Sequence, residues 1–303
     1  MPLSINTPLL ESLSLSQLNH TRVWLKMEAL QPSGSFKMRG IGHACETHVA
    51  RGARRLISSS GGNAGLAVAY AGRQLGVPVI VVVPETTSER VRHLLALEGA
   101  EVRIQGKSWA EANQLALSLM TEQDAFVHPF DDPLLWEGHA TMIDEVVAAG
   151  LRPDAVVLSV GGGGLLSGVD EGLLRNGLNK VPVFTVETEG MASYRAALEA
   201  GKPVPLTTLS GIATTLGARQ VCQRAYDVTQ HRQVFPYTVS DSEAVNACLR
   251  FLDDQRVLVE PACGAALALL YQQQPALREY QDILVIVCGG STATTASLQT
   301  FNN

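Results

Sequence analysis

The sequence predicts an α/β fold with two open parallel sheets. Short runs of β-branched residues alternate along the 303 residues with longer stretches that have helical periodicity. Two of the runs, residues 79–83 and 283–287, are apolar throughout. Strands that are buried on both faces have this composition, because helices cover each side of a parallel sheet.

The pattern predicts strands and helices in regular alternation. We expect strands at residues 55–59, 77–83, 101–104, 125–128, 155–160, 181–187 and 283–288. We expect helices near residues 64–75, 88–98, 108–123, 135–149, 165–177, 190–200, 217–228, 241–255 and 262–273. The segment Pro-Phe-Asp-Asp-Pro at 129–133 does not fit regular structure, so we expect the chain to cross between two domains there.

The composition limits the classes of function. A hydrophobic content of 46% excludes a disordered chain, and a formal charge of −6 gives no footprint for nucleic acid or an anionic membrane. The five cysteines contain no CxxC pair, which argues against a disulfide framework and a zinc site. No signal peptide and no apolar run of about 20 residues is visible, so we expect a soluble cytoplasmic protein.

Three glycine-rich turns follow predicted strands, at residues 58–65, 161–165 and 288–291. Ligands of open α/β sheets bind at the carboxyl ends of the strands, and consecutive glycines expose N–H groups that cradle anions. Two cradles predict one phosphorylated and one carboxylate ligand, although any single turn could equally serve tight packing. A nicotinamide-binding GxGxxG needs glycine where Leu166 or Ser167 stands, which weakens that alternative.

Lys37 is the candidate nucleophile among only five lysines. It lies between Phe36 and Met38, after small turn-forming residues. An apolar setting lowers the pKa of a lysine, and the neutral amine can form a Schiff base. On spacing alone, a surface lysine at a helix start is the favoured alternative.

Several separated motifs together resemble the fold-type II pyridoxal phosphate enzymes, and most of all the short, animal-type serine dehydratase branch of the serine/threonine ammonia-lyases. The motifs are SFKMRG at 35–40, SSGGNAG at 59–65, GGGGL at 161–165 and VCGGS at 287–291, with LKME at 25–28, FDDP at 130–133, WEGH at 136–139 and VEPACG at 259–264. The resemblance extends from about residue 7 to residue 292.

The resemblance implies a fold like that of the tryptophan synthase β subunit, with two open, twisted, mostly parallel sheets. It implies a large domain of residues 1–30 and 133–303 that binds the cofactor, and a small domain of residues 31–132. It also implies a homodimer. The sequence ends at Asn303, so we expect no carboxyl-terminal regulatory domain and a catabolic enzyme without feedback control.

The implied activity is β-elimination from L-serine to pyruvate and ammonia, together with L-threonine to 2-oxobutanoate. In the implied site Lys37 holds pyridoxal 5'-phosphate and acts as general base. Phe36 stacks near the ring, Asn63 binds the ring's 3′ oxygen, and Cys288 faces the pyridine nitrogen. The phosphate is bound by Gly161, Gly162, Gly163, Gly164 and Leu165. Ser60, Gly61, Gly62 and Asn63 form the substrate-binding loop. A thiol is a weak donor and does not keep the pyridine nitrogen protonated, which favours early loss of the β-hydroxyl. Without the resemblance, Cys288 is an ordinary buried cysteine at a strand end.

Gly61 and Met38 bear on the alternative functions. Serine racemases of this fold carry a serine where this chain has Gly61, and many of the dehydratases carry alanine. We expect weak racemisation and a pocket widened by the missing methyl group. Cysteine synthase-like or threonine synthase-like transferases carry an aspartate where this chain has Met38. A non-catalytic regulator that binds the cofactor or amino acids is a further alternative.

The resemblance also implies a monovalent cation, usually potassium, near the phosphate-binding loop. The matching ligands are the carboxylate of Glu187 and the main-chain carbonyls of Gly161, Met191, Leu216 and Ala218. A carboxylate at the end of an apolar strand needs a positive partner if it is buried. Without the resemblance, a surface carboxylate is the favoured alternative for Glu187.

Overall fold

The computed structural model describes residues 2–301 and contains two sheets flanked by helices. The strands are β1 Leu9–Glu11, β2 Arg22–Lys26, β3 Arg55–Ser58, β4 Val79–Val83, β5 Glu101–Ile104, β6 Asp124–Phe126, β7 Ala155–Ser159, β8 Val183–Thr188, β9 Val234–Val239 and β10 Asp282–Ile286. The α-helices are α1 Leu13–Asn19, α2 Lys37–Ala50, α3 Asn63–Leu75, α4 Glu89–Leu97, α5 Trp109–Ser118, α6 Pro133–Ala148, α7 Gly164–Arg175, α8 Ser193–Ala200, α9 Gln223–Asp227, α10 Asp241–Gln255, α11 Pro261–Tyr271 and α12 Thr295–Phe301.

Both sheets are open and mostly parallel, as the sequence predicts. The larger sheet has the strand order β1-β2-β10-β7-β8-β9, in which only the pairing of β1 with β2 is antiparallel. The smaller sheet has the order β5-β4-β3-β6 and is parallel throughout. The predicted α/β class with two sheets is therefore confirmed.

Strand β4 of the smaller sheet shows why a strand can be apolar on both faces. Leu56 and Val81 pack into one core, whereas Ile57, Ile80 and Val82 pack with α5 into another. A strand that serves two cores has no polar face, and all five residues of β4 are buried. The same reasoning applies to β7 and β8 of the larger sheet, which are buried along their whole length.

Three strands were not expected from the sequence. β1 has only three residues, and β2 carries Lys26, which is buried because Glu145 neutralises it. β9 contains Pro236, which an edge strand tolerates because one row of its N–H groups has no partner strand. Helices α1, α2 and α12 were also not expected, and only Gln223–Asp227 is α-helical in the predicted helix at 217–228.

The four strands of the smaller sheet all lie within residues 31–132, and the six strands of the larger sheet all lie outside this range. Residues 129–132 are not helical or extended in a sheet, and α6 begins at Pro133. The division into domains of 1–30 with 133–303 and of 31–132 stays a prediction. No helix among residues 2–301 combines the length and the apolar composition that a membrane span requires.

A buried ionic cluster fixes α2 to the rest of the chain. Arg39 donates from Nε and Nη2 to Glu28 at 2.7 and 2.8 Å, and from Nη1 and Nη2 to Glu145 at 2.7 Å each. Lys26 also contacts Glu145. Two positive and two negative groups balance in this cluster, which is the condition under which charged side chains tolerate burial. Arg39 stands two residues after Lys37, so the cluster anchors the first turn of the lysine's helix.

Candidate active site

The start of α2 is joined to the end of β10 by main-chain hydrogen bonds. Ser35 and Gly289 form an antiparallel bridge, and the N–H of Phe36 donates to the carbonyl of Cys288 at 3.0 Å. The N–H of Gly290 donates to the carbonyl of Gly34 at 2.8 Å. These contacts bring two motifs that are far apart in the sequence to the same place.

Lys37 is half-buried at the first position of α2. Its Nζ donates to the carbonyl of Pro129 at 2.5 Å and lies 5.1 Å from the centre of the Phe36 ring. Burial lowers the pKa of Lys37 from 10.5 to about 8, although the nearby carboxylate of Glu260 opposes this shift. A surface lysine, the alternative from spacing, does not fit this environment, whereas a nucleophilic amine does.

The loop from Gly161 to Leu165 connects β7 to α7 and has the properties of an anion cradle. Within residues 2–301, its five N–H groups donate to no protein acceptor. A Cβ atom on Gly162 would lie 2.3 Å from the ring of Phe130, and Gly163 has a φ of +95° in the left-handed region. Only glycine fits this backbone, and free N–H groups at a helix N-terminus suit a phosphate.

The second loop, Ser60 to Asn63, connects β3 to α3. The N–H of Gly62 donates to Ser60 Oγ at 3.3 Å. A Cβ atom on Gly61 would lie 2.5 Å from Thr87 Oγ1 and 2.9 Å from Thr87 Cγ2. Thr87 thus fills the space that the missing methyl group was expected to leave, and the expectation of a wider pocket is wrong.

Glu260 is a buried carboxylate to which the sequence motifs gave no role. It accepts hydrogen bonds from Asn63 Nδ2 at 2.6 Å and from the hydroxyls of Thr215 and Thr292 at 2.5 Å each. Burial raises the pKa of Glu260, and these three donors oppose the shift. An acid immediately before Pro261, in an otherwise apolar segment, was the signal in the sequence. The Asn63 carbonyl oxygen accepts from the N–H of Ser291 at 3.0 Å, so the whole amide is oriented.

Cys288 lies just beyond β10 and is buried. A hydrogen bond with Cys263, together with burial, raises the pKa of the Cys288 thiol well above its usual range. The side chain therefore stays a neutral thiol at physiological pH. This is the state that the predicted contact with a pyridine nitrogen requires.

Glu187 lies in β8 and is also buried. The alternative interpretation of Glu187 as a surface carboxylate is therefore wrong. Its two oxygens accept the N–H groups of Tyr194 and Arg195 at 2.8 Å each, at the start of α8. Burial raises the pKa of Glu187 to about 7. Nearby, a Cβ atom on Gly161 would lie 3.1 Å from the carbonyl oxygen of Leu216, which brings two of the predicted cation ligands together.

Comparison with known proteins agrees with this arrangement. The sequence profile of the family described as pyridoxal-phosphate dependent enzyme matches residues 1–289. The chain belongs to this family. The lysine, the glycine cradle and the neutral thiol of this pyridoxal-phosphate dependent enzyme are chemically suited to the cofactor, whose aldehyde needs an amine and whose phosphate needs N–H donors.

Relatives of this pyridoxal-phosphate dependent enzyme cover nearly its whole length. Serine dehydratase-like from Mus musculus is 49% identical over 97% of this chain and 92% of its own. L-serine dehydratase/L-threonine deaminase from Homo sapiens is 46% identical over 98% of this chain and 94% of its own. The crystal structure of a fungal L-serine ammonia-lyase from Rhizomucor miehei matches with a TM-score of 0.94 and 36% identity, covering 99% of this chain and 98% of that one.

Proposed function

We propose that this protein is an ammonia-lyase that converts L-serine to pyruvate and ammonia, and L-threonine to 2-oxobutanoate and ammonia. One observation carries the proposal: the main-chain hydrogen bonds between residues 34–36 and 288–290 bring the segments of Lys37 and Cys288 together. Lys37 is an amine with a pKa of about 8, and Cys288 is a neutral thiol. The names of the relatives, which act on serine and threonine, support the same reaction.

The proposed roles follow the predicted site. Lys37 holds the cofactor, Phe36 packs near its ring, Asn63 binds the ring oxygen, and Cys288 faces the pyridine nitrogen. The phosphate is bound by Gly161 to Gly164 and Leu165. The substrate is bound by Ser60, Gly61, Gly62 and Asn63. Pyridoxal phosphate, when bound, makes the Cα proton of an amino acid acidic and stabilises the electron pair that remains.

The chain's own groups then determine which reaction occurs. The amine of Lys37 would be released when the amino group of the substrate takes its place on the aldehyde, and it would then accept the Cα proton, because an amine with a pKa of about 8 is partly unprotonated at neutral pH. Pro129 orients the amine through its carbonyl oxygen at 2.5 Å. Cys288 is a weak donor and would add no positive charge at the pyridine nitrogen of bound pyridoxal phosphate, which would favour elimination of the β-hydroxyl. The Cα proton and the β-hydroxyl together leave as one water.

We further propose a potassium ion bound by Glu187 and by the main-chain carbonyls of Gly161, Met191, Leu216 and Ala218. The buried carboxylate of Glu187 and the approach of Leu216 to Gly161 support it. A homodimer and a cytoplasmic location stay predictions. Sedimentation of the purified protein would test the first of these.

A product assay tests the proposed function. Purified protein with pyridoxal phosphate and potassium is incubated with L-serine, L-threonine or D-serine, and 2-oxo acids and serine enantiomers are measured. We expect 2-oxo acids from both L-substrates, and neither activity nor visible cofactor absorbance in Lys37→Ala. Lys107→Ala, a change at an exposed lysine, is the matched control. If the wild type makes no 2-oxo acid, the proposal is contradicted. If D-serine is the main product from L-serine, the protein is a racemase. If the protein makes a new amino acid when sulfide is added, it is a transferase.

A further inference from the structure

Thr87 lies against the substrate-binding loop although it belongs to a different strand connection. It is half-buried in the turn between β4 and α4, and both its Oγ1 and its Cγ2 are less than 3.0 Å from the place of a Cβ atom on residue 61. Val83 Cγ1, at the end of β4, is 3.2 Å from the same place. A Cβ atom at residue 61 would therefore make the side chain of Thr87 move from this position.

The turn that holds Thr87 is fixed by main-chain hydrogen bonds. The N–H of Thr87 donates to the carbonyl of Pro84 at 3.0 Å, and the N–H of Glu85 donates to the carbonyl of Gly106 at 2.8 Å. The next residue, Ser88, uses its hydroxyl as the N-cap of α4 by accepting from the N–H of Val91 at 3.4 Å. The hydroxyl of Thr87 has no such use, and within residues 2–301 it makes no hydrogen bond to the protein.

The loop beside Thr87 is suited to an anion. Helix α3 begins at Asn63 without a side-chain cap, and in the described part of the chain the N–H groups of Asn63, Ala64 and Gly65 have no protein acceptor. Free N–H groups and the helix dipole give this end a partial positive charge. A hydroxyl that faces the same loop is a further donor for the same ligand.

We propose that Thr87 is a substrate-binding residue, whose Oγ1 donates a hydrogen bond to the carboxylate of the amino acid held at residues 60–63. This proposal rests on the proposed function, because it takes the substrate to be an amino acid. Glycine at position 61 leaves the hydroxyl of Thr87 in place beside the loop, whereas a Cβ atom there would make the Thr87 side chain move.

Kinetics of three variants test the role of the hydroxyl. Thr87→Val keeps the shape and removes the donor, Thr87→Ser keeps the donor, and Thr86→Val is the control at the exposed neighbour. Loss of a hydrogen bond to a charged group corresponds to about a tenfold change or more. We expect the KM for L-serine to rise about tenfold in Thr87→Val, with kcat little changed, and to stay near the wild-type value in Thr87→Ser and Thr86→Val. An unchanged KM in Thr87→Val overturns the proposal.

Two further measurements separate this proposal from the proposed function. Calorimetry with L-alanine, which has no leaving group, reports binding without turnover, and we expect about tenfold weaker binding to the Thr87→Val holoenzyme. If the wild type does not convert L-serine, this binding still decides the role of Thr87.

Thermal unfolding of the cofactor-free protein tests whether Thr87 lies against residue 61. Gly61→Ala should lower the midpoint temperature of unfolding, and the added change Thr87→Ala should restore part of it. A Gly61→Ala variant as stable as the wild type contradicts the placement.

Discussion

Asn63 and Glu260 form a buried hydrogen bond of 2.6 Å between Nδ2 and Oε1, which joins α3 of the smaller sheet to α11 beside the larger one. The partners are 197 residues apart in the chain. Because Thr215 and Thr292 also donate to Glu260, one carboxylate fixes the position of three segments at the proposed cofactor site. We infer that Glu260 is a positioning residue for Asn63.

Replacing Glu260 by glutamine should therefore weaken both the fold and cofactor binding. The amide oxygen can keep the bonds from Asn63 and Thr215, but the NH2 then faces Thr292, whose hydroxyl has to accept instead of donate. The three hydrogen bonds also lose their charged acceptor, and because bonds to charged groups contribute roughly 1.5–3 kcal/mol against about 1 kcal/mol for neutral ones, we expect a decrease of about 1–2 kcal/mol in the free energy of unfolding. Fluorescence titration with pyridoxal phosphate should show weaker binding. Glu279→Gln, at an exposed position, is the control, and equal behaviour of both variants argues against the positioning role.

Capture of the cofactor should depend on pH through Lys37. Only the unprotonated amine bonds to an aldehyde, and the pKa of Lys37 is about 8. In the cofactor-free protein, the rate of capture should rise about tenfold per pH unit well below pH 8 and level off above it. The appearance of visible absorbance after mixing measures this rate. A plateau beginning only near pH 10.5, the ordinary lysine value, means that the amine is solvated.

The same lowered pKa affects stability. Between about pH 8 and 10.5 the unfolded chain binds the Lys37 proton and the folded chain does not, so this group makes the cofactor-free protein more stable as pH rises through that range. Lys37→Met removes the contribution. Denaturant unfolding at several pH values should therefore show a smaller increase with pH in Lys37→Met than in the wild type.

Removing the guanidinium of Arg39 should strongly destabilise the protein. Glu28 is fully buried, and Arg39→Leu leaves its charge without the bidentate partner at 2.7 and 2.8 Å. Breaking a buried pair by removing one partner costs about 3–5 kcal/mol. Denaturant unfolding measures the loss, and Arg51→Leu, at an exposed position in the turn after α2, is the control. A loss below about 1 kcal/mol in Arg39→Leu shows that the cluster does not anchor the helix.

Local chemistry in the sequence predicts only part of the site. The glycine loop at 161–165 stands in a segment whose residue types suggest an anion cradle, whereas Lys37 and Glu187 received their roles from the family resemblance, because spacing alone favoured surface positions. The parts that sequence reasoning missed depend on pairing across the fold. Nothing near Glu260 in the sequence indicates that Asn63 donates to it, and nothing near Gly61 indicates Thr87. The same limit applies to the fold. Strand β2 was missed because it contains Lys26, whose burial depends on Glu145, and Glu145 is 119 residues away in the chain.

Glu187 provides the test of the proposed potassium site. Both of its oxygens accept main-chain N–H groups at the start of α8, and a glutamine has only one acceptor oxygen for them. Glu187→Gln should therefore lose about 1–2 kcal/mol of stability, from one unpaired N–H and from the lost charge at the helix N-terminus.

Glu187→Gln should also lose any activation by potassium, because the negatively charged ligand is gone. Activity is compared in potassium and in tetramethylammonium chloride at equal ionic strength. Glu189→Gln, an exposed neighbour, is the matched control and should keep the wild-type response. Full potassium activation in Glu187→Gln, with the stability loss still present, assigns this carboxylate to helix capping alone.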